Sequence, residues 1–178
     1  PVYVTAVDID TAEREVFGPG YNEDVPVSQA VAASCSVPGV FRPMCIDGRY
    51  FVDGEVARTL SADIAVEAGA KVVIISNIYR PQHDLEPRRS VARSGVHHVL
   101  RQSVSTLLTE KERSGVELLS KRYPHVTFID IAPDLGPYGY FNRFSARPLV
   151  LRGYGTALRA LAAARESRVF DDVLPVDS

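Results

Sequence analysis

Short apolar runs rich in β-branched residues alternate along this sequence with longer segments of helical periodicity. The runs are residues 2–9, 71–78 and 126–131. The run 71–78 is apolar almost throughout, which is typical of a strand that is covered on both faces. Because strands that alternate with helices bury their apolar faces in layers, the pattern predicts an α/β layered fold.

Four segments carry apolar residues at helical spacing. They are residues 26–37, 62–68, 96–122 and 148–165. In the first, Val27, Ala30, Val31 and Ser34 share one face, which we expect to be buried. In the third, Gly115 interrupts the apolar stripe, and it marks either a close-packing point or a break between two helices.

Two β-hairpins are predicted from turn residues. The run 2–9 is followed by the turn-forming Asp10-Thr11-Ala12 and by a short partner strand at 15–17. Asp47-Gly48 separates the apolar runs 44–46 and 49–52. An Asp-Gly pair between two strands favours a two-residue turn in which both residues have positive φ.

Length and composition indicate an ordinary globular protein of one domain, residues 1–178. The apolar share is 46%, the charged share 24% and the net charge −2. These values exclude a disordered tail. No basic patch indicates nucleic acid. No apolar stretch approaches the roughly 20 residues that a membrane span needs. Oligomeric state and compartment stay open.

The two cysteines, Cys35 and Cys45, are too few for a disulfide scaffold. We expect Cys35 to be a small buried packing residue. Neither cysteine combines with a histidine at metal-ligand spacing, so we expect no metal site and no cofactor.

One segment departs from generic α/β sequence. Residues 32–43, Ala-Ala-Ser-Cys-Ser-Val-Pro-Gly-Val-Phe-Arg-Pro, precede Val-Asp-Gly-Glu at 52–55. This resembles the patatin-like phospholipase family, in which A-S-x-x-x-P-x-x-F-x-P precedes Asp-Gly-Gly or Asp-Gly-Ala. The likeness extends to Ala-x-x-x-Gly-Ala at 65–70 and to Gly153-Tyr154.

The resemblance implies a three-layer α/β/α sandwich and hydrolysis of acyl esters in lipids by a Ser-Asp dyad. Carried onto this sequence, the dyad aspartate is Asp53, and Gly54 and Glu55 complete its motif. Glu55 departs from the family, which favours a small residue there, and it places a second carboxylate beside the base. The implied partner is a lipid or acyl-ester substrate.

The residues themselves are compatible with that role. Asp53 follows the predicted strand 49–52, and ligands in open α/β sheets bind at the carboxyl ends of strands. Gly54 allows a sharp turn of the backbone. A carboxylate there could orient a serine hydroxyl and accept its proton. The alternative is a turn residue, because Asp is favoured before Gly on conformational grounds alone.

The family's nucleophile motif G-x-S-x-G is absent from this sequence. Ser94-Gly95 has Ala92 in place of the first glycine, and none of the twelve glycines is adjacent to another, so a Gly-rich oxyanion loop is absent too. In the family both elements precede the matched region. We therefore expect the chain to be the C-terminal portion of a patatin-like domain, with the missing N-terminal half as its partner.

Two other functions stay open. The chain is either an inactive scaffold or binding module of the same fold, or the tail of an ordinary α/β-hydrolase, which would need a catalytic histidine. The candidates are His97, His98 and His125, and we expect each to be structural or on the surface.

Transient membrane contact is a further expectation. Arg93, His97 and Arg101 share a helix face that could attract anionic headgroups. An aromatic group in the following loop could contact lipid as well. It consists of Tyr138, Tyr140, Phe141 and Phe144.

Overall fold

The computed structural model describes residues 1–57, 61–77, 95–134 and 146–171. The chain divides into two compact units, Pro1–Ile64 and Ala65–Ser178. The prediction of a single domain over 1–178 stays a prediction. The elements are β1 Val4–Asp8, β2 Arg14–Phe17, α1 Val27–Ser34, β3 Met44–Ile46, β4 Arg49–Asp53, a 3-10 turn Gly54–Val56, α2 Ala62–Glu67, β5 Val72–Ser76, α3 Val96–Arg122, β6 Thr127–Ile131 and α4 Ala146–Glu166.

The first unit contains a four-stranded sheet of order β2-β1-β4-β3 in which every pair is antiparallel. Both predicted hairpins are confirmed. Ile46 pairs with Arg49, so Asp47 and Gly48 form a two-residue turn. Their φ angles of 49° and 80° are both positive, as this turn requires.

Helix α1 packs on one face of this sheet. The core between them consists of Ala6, Phe17, Ala30, Ala33, Ile46 and Phe51. The rings of Phe17 and Phe51 meet edge to face, with centroids 5.7 Å apart. The predicted buried face of α1 is partly wrong, because Val27 and Val31 are exposed. The contact runs along Ala30 and Ala33, whose small side chains allow the helix to lie close to the strands.

The opposite face of the sheet contacts the residues around the start of α2. Nη1 and Nη2 of Arg14 donate to the two oxygens of the Asp63 carboxylate, at 3.1 and 2.9 Å. Asp63 is buried. The hydroxyl oxygens of Thr5 and Ser61 lie 3.3 Å apart. These contacts tie residues 61–63 to β1 and β2.

A buried carboxylate organises the turn between β1 and β2. Asp8 accepts hydrogen bonds from the main-chain N–H groups of Asp10 and Thr11 and from Nε of Arg49, which also pairs with Glu15. The Arg49 hydrogen bond is the main reason why the pKa of Asp8 lies below its usual value. Burial acts in the opposite direction, and the two N–H donors lower the pKa further.

This network predicts a pH dependence of stability. Since the folded-state pKa of Asp8 is lowered, its contribution is complete above the unfolded pKa of about 4 and is lost as the pH falls through the folded value. We expect Asp8→Asn to lower the urea midpoint at pH 7 and to lose less stability than the wild type below about pH 4. The exposed Asp10→Asn serves as the control, and a wild-type acid profile in Asp8→Asn would contradict the assignment.

The second unit contains the parallel pair β5 and β6, in register from Val72 opposite Thr127 to Ser76 opposite Ile131. Helix α4 packs on β6 through a core that includes Ile129 and Ala164. The expectation that the strand within 71–78 is covered on both faces is wrong for Ile74, of which 51% is exposed.

Helix α3 is continuous from Val96 to Arg122. Gly115 therefore breaks nothing, and a Cβ there would meet open space, so it is not a close-packing point either. The apolar stripe on α3 is exposed at Val96, Val99, Leu100, Val104, Leu107 and Leu118. Within the described residues, no helix is both long and apolar enough to cross a membrane.

The fold class is mixed helix and sheet. A three-layer α/β/α sandwich is not confirmed, because the strands form an antiparallel sheet in one unit and a parallel pair in the other. Within each of the two predicted hairpins, two strands pair without a helix between them, so strands and helices do not alternate through the first unit.

Candidate active site

Asp53 is the last residue of β4 and lies opposite Ala6 of β1. Its main-chain N–H donates to the carbonyl oxygen of Ser36 at 3.1 Å. Ser36 belongs to segment 32–43, so the two parts of the sequence motif meet in the structure. The rule that placed Asp53 at a ligand-binding strand end does not apply, because it concerns parallel sheets and β4 has antiparallel neighbours.

The segment after α1 is held by its own hydrogen bonds. Ser36 is buried, and its hydroxyl donates to the carbonyl of Ala32 at 2.8 Å. The next four residues form a turn in which Val40 N–H donates to the Val37 carbonyl. Pro38 followed by Gly39 at φ 81° is the type II turn pattern. This turn carries the exposed apolar side chains of Val37, Val40 and Phe41.

The Asp53 carboxylate is oriented by the backbone that follows it. Its Oδ1 accepts a hydrogen bond from the Glu55 N–H at 3.0 Å, so Asp53 caps the 3-10 turn. Within residues 1–57, 61–77, 95–134 and 146–171, Oδ2 has no hydrogen-bond partner. The residue is half-buried. The capping bond of Oδ1 agrees with the hypothesis that Asp53 is a turn residue. The same bond orients the carboxylate and leaves Oδ2 without a hydrogen bond, which is the arrangement that a general base needs.

Position 54 requires a glycine because there is no room for a side chain, and not because of its backbone conformation. Its φ is not positive, so the expected sharp turn is not the reason for glycine. A Cβ at this position would lie 2.5 Å from Oγ1 of Thr5 and 2.6 Å from the Thr5 carbonyl oxygen. The close approach of β1 therefore excludes any side chain directly after Asp53.

Glu55 occupies the position where the resemblance leads us to expect a small residue. Its main-chain N–H supplies the hydrogen bond to Asp53, and its side chain is half-buried. A glutamate at position 55, instead of a small residue, therefore does not prevent the main-chain N–H of this position from bonding to the Asp53 carboxylate.

The prediction that Cys35 is buried is wrong. Both Cys35 and Cys45 are exposed free thiols. Cys35 follows the last residue of α1 and forms its C-cap, beyond the seam of Ala30 and Ala33 that contacts the sheet. In the described ranges, no group of three His, Cys, Asp or Glu residues is placed to hold a metal ion.

Of the candidate histidines, His125 is exposed, and its ring makes an edge contact with Tyr123 at 6.4 Å. It has no carboxylate partner in the described part of the chain, so no triad forms around it. The side chains of His97, His98 and Arg101 lie outside the described residues. The same holds for residues 78–94, which include Ala92, Arg93 and Ser94, and for the aromatic group of the loop after Asp134.

Sequence reasoning did not identify two features of this site. The Asp53–Ser36 hydrogen bond joins main-chain atoms, so the pattern of side chains in the sequence does not predict it. The space requirement at Gly54 comes from Thr5, a residue far away in sequence. The Asp-Gly pair was the available signal, and it does not distinguish a turn from a crowded strand end.

A comparison with protein families matches residues 2–66 to the model described as patatin-like phospholipase. The matched range contains the whole antiparallel sheet, α1, the segment 32–43 and the Asp53 motif. It covers little more than a third of the chain, at its N-terminal end. The match supports the family resemblance over these residues. The expectation that the chain is a C-terminal portion of the family's domain is not borne out.

Proposed function

We propose that this chain is part of a lipid acyl hydrolase and contributes Asp53 as the general base of a Ser-Asp dyad. The observation that carries the proposal is the match of residues 2–66 to patatin-like phospholipase, a range that contains Asp53 with one carboxylate oxygen fixed and the other open. The serine belongs to a segment outside residues 1–178, because no G-x-S-x-G occurs within them.

In the proposed reaction, Oδ2 of Asp53 accepts the proton of the serine hydroxyl while the serine oxygen attacks the ester carbonyl carbon. The tetrahedral intermediate collapses to an acyl-serine, and the alcohol leaves with the proton returned by Asp53. Water then attacks the acyl-serine with the same assistance and releases the fatty acid. Oxyanion donors come from outside this chain, since it has no Gly-rich loop.

The surroundings of Asp53 suit an apolar substrate. Exposed apolar side chains of Val37, Val40 and Phe41 lie on the turn that begins directly after Ser36. The main-chain carbonyl of Ser36 accepts a hydrogen bond from the N–H of Asp53. An acyl chain that covers these side chains would remove them from water.

The missing nucleophile favours a second candidate, a scaffold or binding module without catalysis. Ester hydrolysis by a longer protein that includes this chain distinguishes the dyad proposal from the scaffold alternative. On the dyad proposal, a longer protein that supplies G-x-S-x-G and a Gly-rich loop hydrolyses p-nitrophenyl acyl esters, and its activity requires Asp53. On the scaffold alternative, the longer protein lacks these motifs and turns over no ester.

The isolated chain provides a prediction of its own. We expect residues 1–178 alone to hydrolyse p-nitrophenyl acyl esters no faster than buffer, because the nucleophile and oxyanion donors supply most of the rate in acyl transfer. The measurement is initial rate with and without a fluorophosphonate. A turnover that the fluorophosphonate abolishes would show a nucleophile within this chain, and the dyad proposal would then fail.

A further inference from the structure

A cleft of about 460 Å³ lies beside α4 in the second unit. Its lining is mostly polar and includes two arginines and a threonine. The residues are Asp134, Leu151, Arg152, Gly155, Thr156 and Arg159. Neither the sequence motif nor the proposed hydrolase uses this cleft.

Each guanidinium group in the cleft donates to a neutral oxygen. Nη2 of Arg159 donates to Oγ1 of Thr156 at 3.1 Å, and Nη1 of Arg152 donates to the main-chain oxygen of Asp134 at 3.4 Å. Arg159 has no carboxylate partner among the described residues. Since a guanidinium carries five N–H donors, Arg159 keeps several for a ligand.

The backbone of α4 makes room for this arrangement. Arg152, Thr156 and Arg159 are spaced i, i+4, i+7 and therefore share one helix face. Gly155 lies beneath the Arg159 side chain, where a Cβ would already be 3.6 Å from Nη1. A larger side chain at 155 would occupy the space next to the guanidinium.

The position of the cleft in the fold is a second, independent indication. Asp134 comes three residues after the end of β6, which runs parallel to β5. Ligands of parallel α/β sheets gather beyond the carboxyl ends of the strands. The cleft lies at that end.

The geometry points to a binding site for a phosphate-bearing ligand in this cleft, with Arg152, Thr156 and Arg159 as its donors. Arginine forks match phosphate oxygens with two parallel hydrogen bonds, and the hydroxyl of Thr156 supplies a third donor. The positive charge of Arg159 has no carboxylate partner in the described part of the chain, so it is available to an anionic group. Leu151 offers an apolar wall that fits an organic phosphate better than a bare ion. The inference does not rest on the proposed hydrolase.

The test is calorimetric titration of residues 1–178 with inorganic phosphate and with glycerol 3-phosphate at low ionic strength. We expect saturable binding that Arg159→Gln weakens by about tenfold or more, since hydrogen bonds to charged groups are strong. The control is Arg165→Gln, which removes one charge from the last turn of the same helix and does not line the cleft. It should change the affinity less than about twofold, because exposed charges contribute little.

A third variant, Thr156→Val, retains both charges and should weaken binding by about threefold or more through loss of one donor. Circular dichroism confirms that each variant is folded. Vesicles of phosphatidylcholine with phosphatidic acid form the second arm. Arg159-dependent binding to these vesicles without binding of the soluble phosphates assigns a lipid headgroup, whereas the reverse assigns a soluble ligand.

Two results would overturn the inference. One is the absence of saturable binding in both arms. The other is an equal loss of affinity in Arg159→Gln and Arg165→Gln, which would indicate attraction to the overall charge of the helix.

Discussion

Asp53→Asn, in a protein that carries this chain together with the proposed serine, is expected to lose ester hydrolysis by 10² to 10⁴-fold, toward the upper end of that approximate range. Asn keeps the size of Asp and its carbonyl oxygen still accepts the hydrogen bond of Glu55 that caps the 3-10 turn. It cannot take a proton from serine. In a dyad no histidine shares that role, so little residual base catalysis remains. The measurement is kcat for a p-nitrophenyl acyl ester.

The matched control is Asp47→Asn, at the other Asp-Gly pair. Asp47 is exposed and has a φ of 49°, a conformation that Asn tolerates well in hairpin turns. We expect kcat and the thermal midpoint to stay near the wild-type values. Equal, near-normal activity in both variants would make Asp53 a turn residue only.

Gly54→Ala is expected to destabilise the first unit by about 1–3 kcal/mol. The added Cβ would lie 2.6 Å from the main-chain oxygen of Thr5 and 2.5 Å from its hydroxyl oxygen, so β1 and the 3-10 turn must separate. That movement also displaces Asp53, and we expect activity to fall with stability. The free energy of unfolding is obtained from urea denaturation followed by circular dichroism.

Gly115→Ala provides the same substitution where space is open. Gly115 lies inside α3 and a Cβ there meets nothing within 4 Å, so the change should be neutral or should stabilise by up to about 1 kcal/mol. If Gly54→Ala behaved like Gly115→Ala, the close contact with Thr5 would not constrain the motif.

Local turn chemistry was readable from the sequence, whereas long-range contacts were not. Asp47-Gly48 predicts its hairpin because both positive φ angles are properties of the two residues themselves. The sequence pattern places Val27 and Val31 on the buried face of α1, whereas Ala30 and Ala33 form the contact with the sheet. Small side chains are needed there because the helix lies close to the sheet, and that distance depends on the tertiary structure.

In the candidate site and its surroundings, local features were likewise predicted from the sequence and long-range contacts were not. Asp53 was identified from the motif, and its capping bond to Glu55 is local. The ion pair of Arg14 with Asp63 joins residues 49 positions apart and follows from no periodicity. The exposed position of Cys35 likewise depends on where α1 ends and on which of its faces contacts the sheet.

The most direct test of the dyad proposal is the site and rate of fluorophosphonate labelling in a protein that contains this chain. Labelling requires a serine made nucleophilic by its base, and mass spectrometry identifies the labelled residue. The proposal predicts a label on a G-x-S-x-G serine outside residues 1–178, formed at least about a hundredfold more slowly in Asp53→Asn than in Asp47→Asn. A label within residues 1–178, or equal labelling rates in the two variants, would contradict it.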